Sequence, residues 1–327
     1  MLEIRDADQL FQNLWEKVQA LSDLSTPHPL SARMAVSTVK RFLVEPTAKI
    51  RLRDLIHDET EKLIGELNDK AFPGMPSLNQ AEDLKQRIDK YNVLSETLLS
   101  LIVTGCYWGN QQHSKLWVDC LERLANQTGE RSGTPYLLNL RRYPALLLLY
   151  GAGLAAVAAG NYQTLAAILT QPSVKDINGK EAAICTVVDP RAVMANNIAH
   201  LLPGLDRHYT PVSDYLFDRL RALLREYIPR DEDYEEKFDY FEYLLALVHA
   251  DLVRQEWEGS WIGPIGRFKW RNNYTNSESL ASNKIGKELE TQGANWAPLK
   301  AGLFGGSIEQ AKSAKARFDA FLKKVPF

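Results

Sequence analysis

The chain has 327 residues, 45% of them hydrophobic and 24% charged, with a formal net charge of −2. That length and apolar content can bury a large core and leave room for two lobes that share an interface. The near-neutral balance excludes a global electrostatic pull toward nucleic acid or anionic membranes, so any such attraction must come from a local patch. Three cysteines, Cys106, Cys120 and Cys185, occur without a paired spacing, which points to a reducing, cytoplasmic setting rather than a disulfide framework. The opening MLEIRDADQL lacks the apolar core of a signal peptide.

Helical periodicity then runs along the chain. Residues 7–21 carry Leu10, Leu14, Val18 and Leu21 on one face, and Ser31 caps a second helix that ends before Pro46. Thr47 opens a third, with Ile50, Leu55, Leu63 and Ile64 expected inward. Pro73, Gly74 and Pro76 break the chain before a long helix from near Leu78. Its Leu84, Ile88, Tyr91, Leu94, Leu98 and Ile102 recur at steps of three and four, the pattern of a buried stripe. Another helix follows through Leu116, Val118, Leu121 and Leu124. The glycine-bounded stretch 129–133 divides an N-terminal helical lobe, 1–128, from a C-terminal one, 134–327, and Thr134-Pro135 is a cap followed by proline in the first turn.

Residues 143–173 carry no charge. A membrane span needs about 20 apolar residues, but Gly151, Gly153 and Gly160 dilute this run, and Gly160-Asn161 is a helix stop. The expectation is therefore a buried helical hairpin over 143–170, with no membrane crossing. Gly151, Gly153, Ala156 and Ala159 would let a neighbouring helix approach closely. Gly160 would take the left-handed conformation at the turn, and Tyr162 would pack back over it. The spacing of Gly153, Gly160 and Tyr162 resembles one tetratricopeptide unit; no second copy recurs at a 34-residue period, so the fold class expected is all-α, an irregular helical stack with one such hairpin.

Further helices are expected over 190–202, 212–227 and 234–257. The last has Tyr234, Phe238, Phe241, Leu245, Val248 and Leu252 on one stripe, and an acidic opening at 231–236 that suits either the positive end of the helix dipole or a basic partner. The short stretch 184–188 is the one expected strand.

No catalytic signature stands out. The six histidines lack the i, i+4 spacing of a zinc-protease helix, and His200, Asp206 and His208 have no further cysteine or carboxylate in register for a metal. Cys106 and His113 form no recognisable nucleophile–base motif, and Gly305-Gly306 precede no phosphate-loop lysine. No cofactor is implied. The segment 259–274, GSWIGPIGRFKWRNNY, is different in kind. Its glycines and Pro264 interrupt helix, after which Arg267, Lys269 and Arg271 alternate with Phe268 and Trp270. On an extended backbone this sets cations on one side and aromatics on the other, a pattern suited to single-stranded nucleic acid or a nucleotide. The competing reading is an ordered loop with Trp261, Phe268 and Trp270 in the core and the cations paired to nearby acids.

RRYPALLLLYGAGLAAVAAGNY, the IGRFKWR loop and the closing WAPLKAGLFGGSIEQAKSAKARFDAFLKKV together resemble α-helical C-terminal regions of multidomain bacterial proteins. Such regions accompany Schlafen-type nucleic-acid or ATP-binding domains and sirtuin-type NAD-consuming domains, some tied to antiphage defence. The likeness rests on packing and loop patterns, so it transfers no active-site residue. What it implies is a soluble interaction, sensor or regulatory module with a protein partner or fused effector domain in bacterial defence. The alternative is a nucleic-acid or nucleotide-binding module using residues 267–271.

Overall fold

Residues 29–127, 133–176, 178–253, 263–274 and 280–325 are described by the computed structural model of the chain. The fold is all-α: 75% of it is helical, with a single two-stranded sheet among the described residues. The expected helix over 7–21 lies outside them, as do Trp261 and most of the stretch 129–133.

The first half is a set of helices laid against one long spine. Helix α1 (Pro29–Val44) leads through a short 3-10 turn (Pro46–Ala48) into α2 (Lys49–Glu66), and α3 (Gln80–Trp108) is the spine. At 1.5 Å per residue its 29 residues span about 43 Å. Asn79 caps its start by accepting a bond from the Glu82 N–H. The expected stripe is buried, with Leu94 only half-buried. Helix α4 (Ser114–Asn126) packs against α2. Two boundaries differ from expectation. The helix expected to be capped at Ser31 already begins at Pro29, and Thr47 sits in the 3-10 turn, so α2 starts two residues later. Of the residues expected inward on α2, Leu63 is buried, Leu55 and Ile64 are half-buried and Ile50 is exposed, while Leu52 and Ile56 enter the core.

The second half is built on an uncharged helix. Helix α5 (Pro135–Leu140) starts after Thr134 as expected, and α6 (Tyr143–Ala159) and α7 (Tyr162–Thr170) form the hairpin. Every residue from Tyr143 to Val157 is buried, which explains why α6 has no polar face. The run Pro135–Ala159 is long and apolar enough to cross a membrane, but 83% of its 18-residue apolar window is buried inside the fold. Gly151 faces α3, where an added Cβ would sit 2.7 Å from the Leu99 side chain, and Gly153 faces the Phe241 ring on the opposite side. Gly160 is left-handed (φ 68°), the Asn161 N–H reaches the Ala156 carbonyl at 2.8 Å and the Gly160 N–H that of Val157 at 3.1 Å, the paired bonds of a Schellman turn. Asn161 caps α7 and donates to the Cys106 and Gly109 carbonyls, tying the turn to the end of α3. Tyr162 is half-buried, packs against the core and hydrogen-bonds the Tyr240 hydroxyl.

Beyond the hairpin, β1 (Ser173–Lys175) and β2 (Glu181–Ala183) pair antiparallel, with Val174 opposite Ala182. The strand expected over 184–188 is instead a short helix, α8 (Ile184–Val187), because the extended segments lie just before it. The helix expected over 190–202 is two separate turns, α9 (Pro190–Val193) and α10 (Asn196–Ala199). Then come α11 (Pro211–Leu224) and α12 (Asp231–Leu252), the second central helix, whose Leu252 is exposed. Helices α13 (Phe268–Tyr274), α14 (Ala281–Gln292), α15 (Ala297–Lys300) and α16 (Ile308–Lys324) complete the chain. Helices α3 and α6, from the two expected lobes, pack along each other, and one apolar cluster runs from Val39 to Leu322.

Candidate functional site

The segment that carried the sequence expectation lies along α12. An added Cβ at Gly263 would meet the Ala246 carbonyl, and one at Gly266 would enter the Glu242 carboxylate. These glycines are three apart, and Ala246 and Glu242 are one helical turn apart, so the segment follows the helix at close range. From Phe268 onward the backbone is helical, not extended, which is the correction to the alternation argument. Arg267 and Arg271 therefore share one helical face and meet Glu235 and Asp239, themselves one turn apart on α12.

The resulting contacts are internal. Arg267 bonds Glu235 at 2.7 Å, stands 3.6 Å from Asp239, and lies over the Phe217 ring at 3.5 Å; its side chain is 7% exposed. Arg271 bonds Asp239 at 2.6 Å and reaches Glu235 at 3.1 Å. Lys269 donates to the carbonyls of Leu322 and Val325 at the end of α16. Phe268 is buried edge-on against Tyr243, and Trp270 is half-buried within 5.6 Å of the Arg267 guanidinium. The five candidate ligand-binding residues are thus brought together, but as a brace between α12, α13 and α16.

Beneath this brace is a buried carboxyl that the sequence reading missed. Glu242 is bonded to the Tyr150 hydroxyl (3.0 Å) and the Ser213 hydroxyl (2.7 Å), and Ser213 also accepts the Arg267 N–H at 2.9 Å. Burial pushes the Glu242 pKa up to about 8, and Asp239 is pushed up to about 6 by burial against the opposing pull of Arg271 and Arg267. Ser213 also lines a cleft of about 360 Å³ with Asn197, Tyr209, Thr210 and Ile265. Both hydroxyls donate to the Glu242 carboxyl, so the trio bonds α6, α11 and α12 together. A glutamate in the middle of an apolar helical stripe, one turn from Phe238 and Ala246, is the signal that could have revealed it.

Other expected chemistry is dispersed. His200 bonds the His208 carbonyl, His208 bonds Asp214, and Asp206 sits beside Arg207. No cluster of three or more metal-ligating side chains occurs among the described residues. Cys106 is fully buried with its thiol pKa pushed up by that burial, while His113 is spent on the Asn110 N–H. Phe304, Gly305 and Gly306 all have positive φ and form a left-handed turn before α16.

The ends of three helices present exposed apolar groups. Val44 closes α1, Ile50 is in the first turn of α2 and Trp108 closes α3; they are 80%, 72% and 59% exposed. Contacts connect these ends. One turn before Val44, Lys40 bonds Glu226 and lies over Tyr227; the Tyr227 ring is 4.9 Å from Tyr107, which packs edge-on against Trp108. On the other side, His113 has its pKa lowered by burial and by the nearby charge of Lys49, which sets Ile50's neighbour close to the chain that follows Trp108. No family model matches the chain, and searches of curated proteins and of solved structures return no match.

Proposed function

We propose that the chain is a soluble, cytoplasmic helical interaction module that regulates or assembles an effector domain in bacterial defence. The observation that carries the interaction reading is the exposed end formed by Val44, Ile50 and Trp108, where large apolar side chains stand in water beside cations. The internal polar groups support the same reading, since the cations at 267–271 are engaged with the carboxylates at 235 and 239 or with backbone, and Glu242 with the Tyr150 and Ser213 hydroxyls. The assignment to defence rests on the resemblance alone. The nucleic-acid alternative would require Arg267 and Arg271 to leave the buried Asp239 carboxylate and the half-buried Glu235, which strands a charge in a low-dielectric site.

A photo-crosslinking amino acid placed at position 108 in the native cell tests the reading, with position 119, exposed on α4, as the control site. Protein adducts are expected at 108 and not at 119. The reading fails if position 108 yields no protein adduct while the purified chain retains single-stranded DNA, RNA or mononucleotides at low salt.

A further inference from the structure

The bonded pair of Ser213 and Glu242 stands at the edge of open space. Ser213, itself buried, lines the cleft of about 360 Å³, and its hydroxyl bonds the Glu242 carboxyl at 2.7 Å. The Arg267 N–H takes one lone pair of the same oxygen at 2.9 Å, which orients it and leaves the second lone pair for another atom. Glu242 is held in turn. The Tyr150 hydroxyl bonds its other oxygen at 3.0 Å, and Gly266 leaves the room it occupies, since an added Cβ there would lie 2.1 Å from Oε2. A hydroxyl within hydrogen-bond reach of a carboxyl that a third group positions is the pattern of an activated nucleophile.

Helix α11 adds hydrogen-bond donors. Ser213 stands in its first turn, so the serine side chain and the N–H groups of Val212 and Ser213, which have no carbonyl four residues back within the helix, lie at the same end. Thr210 does not cap them; its hydroxyl donates to Asp214. Such donors, at the positive end of a 14-residue helix, suit the negative oxygen that forms when a serine adds to a carbonyl. The cleft walls include Pro190, Val212, Pro264 and Ile265, an apolar lining for a short acyl chain. We propose that this cleft is a carboxylic-ester hydrolase site, with Ser213 as nucleophile and Glu242 as general base. Ser213 Oγ bonds the ester carbonyl carbon while its proton passes to Glu242 Oε2; the bond to the alcohol oxygen then breaks, and that proton leaves with the alcohol. Water next adds to the acyl-serine and gives a proton to Glu242; the bond from the acyl carbon to Ser213 Oγ breaks, the carboxylic acid leaves, and the proton returns to Oγ. Glu242, with its pKa pushed up to about 8 by burial, is acted on by Tyr150 of α6, by Tyr234 and Asp239 of its own helix and by Arg267. Hydrolysis should therefore rise with pH toward a plateau above about pH 8. The site does not depend on the exposed helix ends, so its failure leaves the interaction reading standing.

Diisopropyl fluorophosphate, which phosphorylates activated serines, and p-nitrophenyl butyrate test the site on the full chain. The wild type is expected to carry the phosphoryl adduct on Ser213, located by peptide mass spectrometry, and to hydrolyse the ester at a rate that climbs between pH 6 and pH 9. Ser213→Ala should lose both the adduct and all hydrolysis above background. Glu242→Gln keeps an oxygen for the two hydroxyls but cannot take a proton from Ser213. It should lower turnover by about 10²–10⁴-fold and flatten the pH profile, with the far-UV circular dichroism of the wild type. If Ser213→Ala does not fold, the position of the adduct on the wild type still decides. A wild type neither labelled nor active across that pH range overturns the proposal. So does an adduct confined to another residue, or a folded Glu242→Gln variant that hydrolyses the ester as fast as the wild type.

Discussion

Arg267 was the residue most open to misreading in the sequence. Five residues of alternating cation and aromatic fit a period of two, yet the same five place Arg267 and Arg271 at i, i+4, and the structure uses the helical spacing. What distinguishes the two is the partner pair Glu235 and Asp239, at the same spacing on α12, which the sequence blends into an acidic helix opening. Arg267→Ala would leave Asp239 buried with only Arg271 to compensate it, so it should destabilise by about 3–5 kcal/mol. Chemical denaturation measures this, and a change near zero would mean that the guanidinium contributes no net pairing. Glu242 gives a separate prediction through pH. Its pKa is near 4.5 in the unfolded chain and about 8 in the fold, so between these values the folded state holds the extra proton. Stability from this group is fully present below about pH 4.5, declines as pH rises toward 8 and is lost above that. Asp239 acts in the same sense over a lower window, ending near pH 6. The groups around Glu242 are Tyr150, Ser213, Asp239 and Arg267. Glu242→Gln should therefore melt above the wild type at pH 9 and lose that advantage by pH 5. Melting curves that stay parallel across this range would show that Glu242 titrates normally.

At the scale of elements, the hairpin of α6 and α7 was readable because each of its devices is local. Gly160 ends one helix, Asn161 caps the next, and an uncharged helix must be covered on all sides. The departures from expectation also have physical causes. The sheet follows from the turn chemistry of Asp176, Asn178 and Gly179, where the Asp176 carboxylate accepts the N–H groups of Asn178 and Lys180 and Gly179 takes φ 80°. Its strands are only three residues long, too short for alternation to show. Ile50 faces solvent because the buried stripe of α2 runs through Leu52, Ile56, Thr60 and Leu63, a spacing of three and four that position 50 does not share. Two glycines of α6 and its turn should respond to substitution for different reasons. An added side chain at Gly160 meets nothing within 4 Å, so Gly160→Val should cost about 1–2 kcal/mol through left-handed backbone strain alone. At Gly153 the backbone is ordinary helix, and Gly153→Ala should cost about 1–3 kcal/mol because its methyl would overlap the Phe241 ring. Thermal melts of the pair separate the mechanisms: adding Phe241→Leu should relieve Gly153→Ala and leave Gly160→Val unchanged. Relief of neither variant would place the cost of Gly153→Ala elsewhere.

At the scale of the whole molecule, the sequence marked a division at residues 129–133 but carried no information on how much surface the two sides share. That depends on contacts between α3 and α6, far apart along the chain, and periodicity reports only that each has an apolar face. In the fold, α3 lies along α6, Gly151 allows the approach at Leu99, and Tyr143 of α6 donates to Asn92 of α3 at 2.8 Å. Helix α6 in turn meets α12 through Gly153 and through the bond from Tyr150 to Glu242. A helix without a polar face cannot be left exposed by the unfolding of its neighbour on either side without a large hydrophobic penalty, at roughly 25 cal/mol per Å² uncovered. The first and second halves should therefore unfold together. Calorimetry of the full chain is expected to give one transition whose van't Hoff enthalpy per cooperative unit matches the calorimetric enthalpy, and a fragment comprising residues 134–327 should expose α6 and lose cooperative melting. If the full chain instead melts in two resolved steps, and the 134–327 fragment reproduces one of them, the interface between α3 and α6 is a boundary between independent domains and not the centre of a single core.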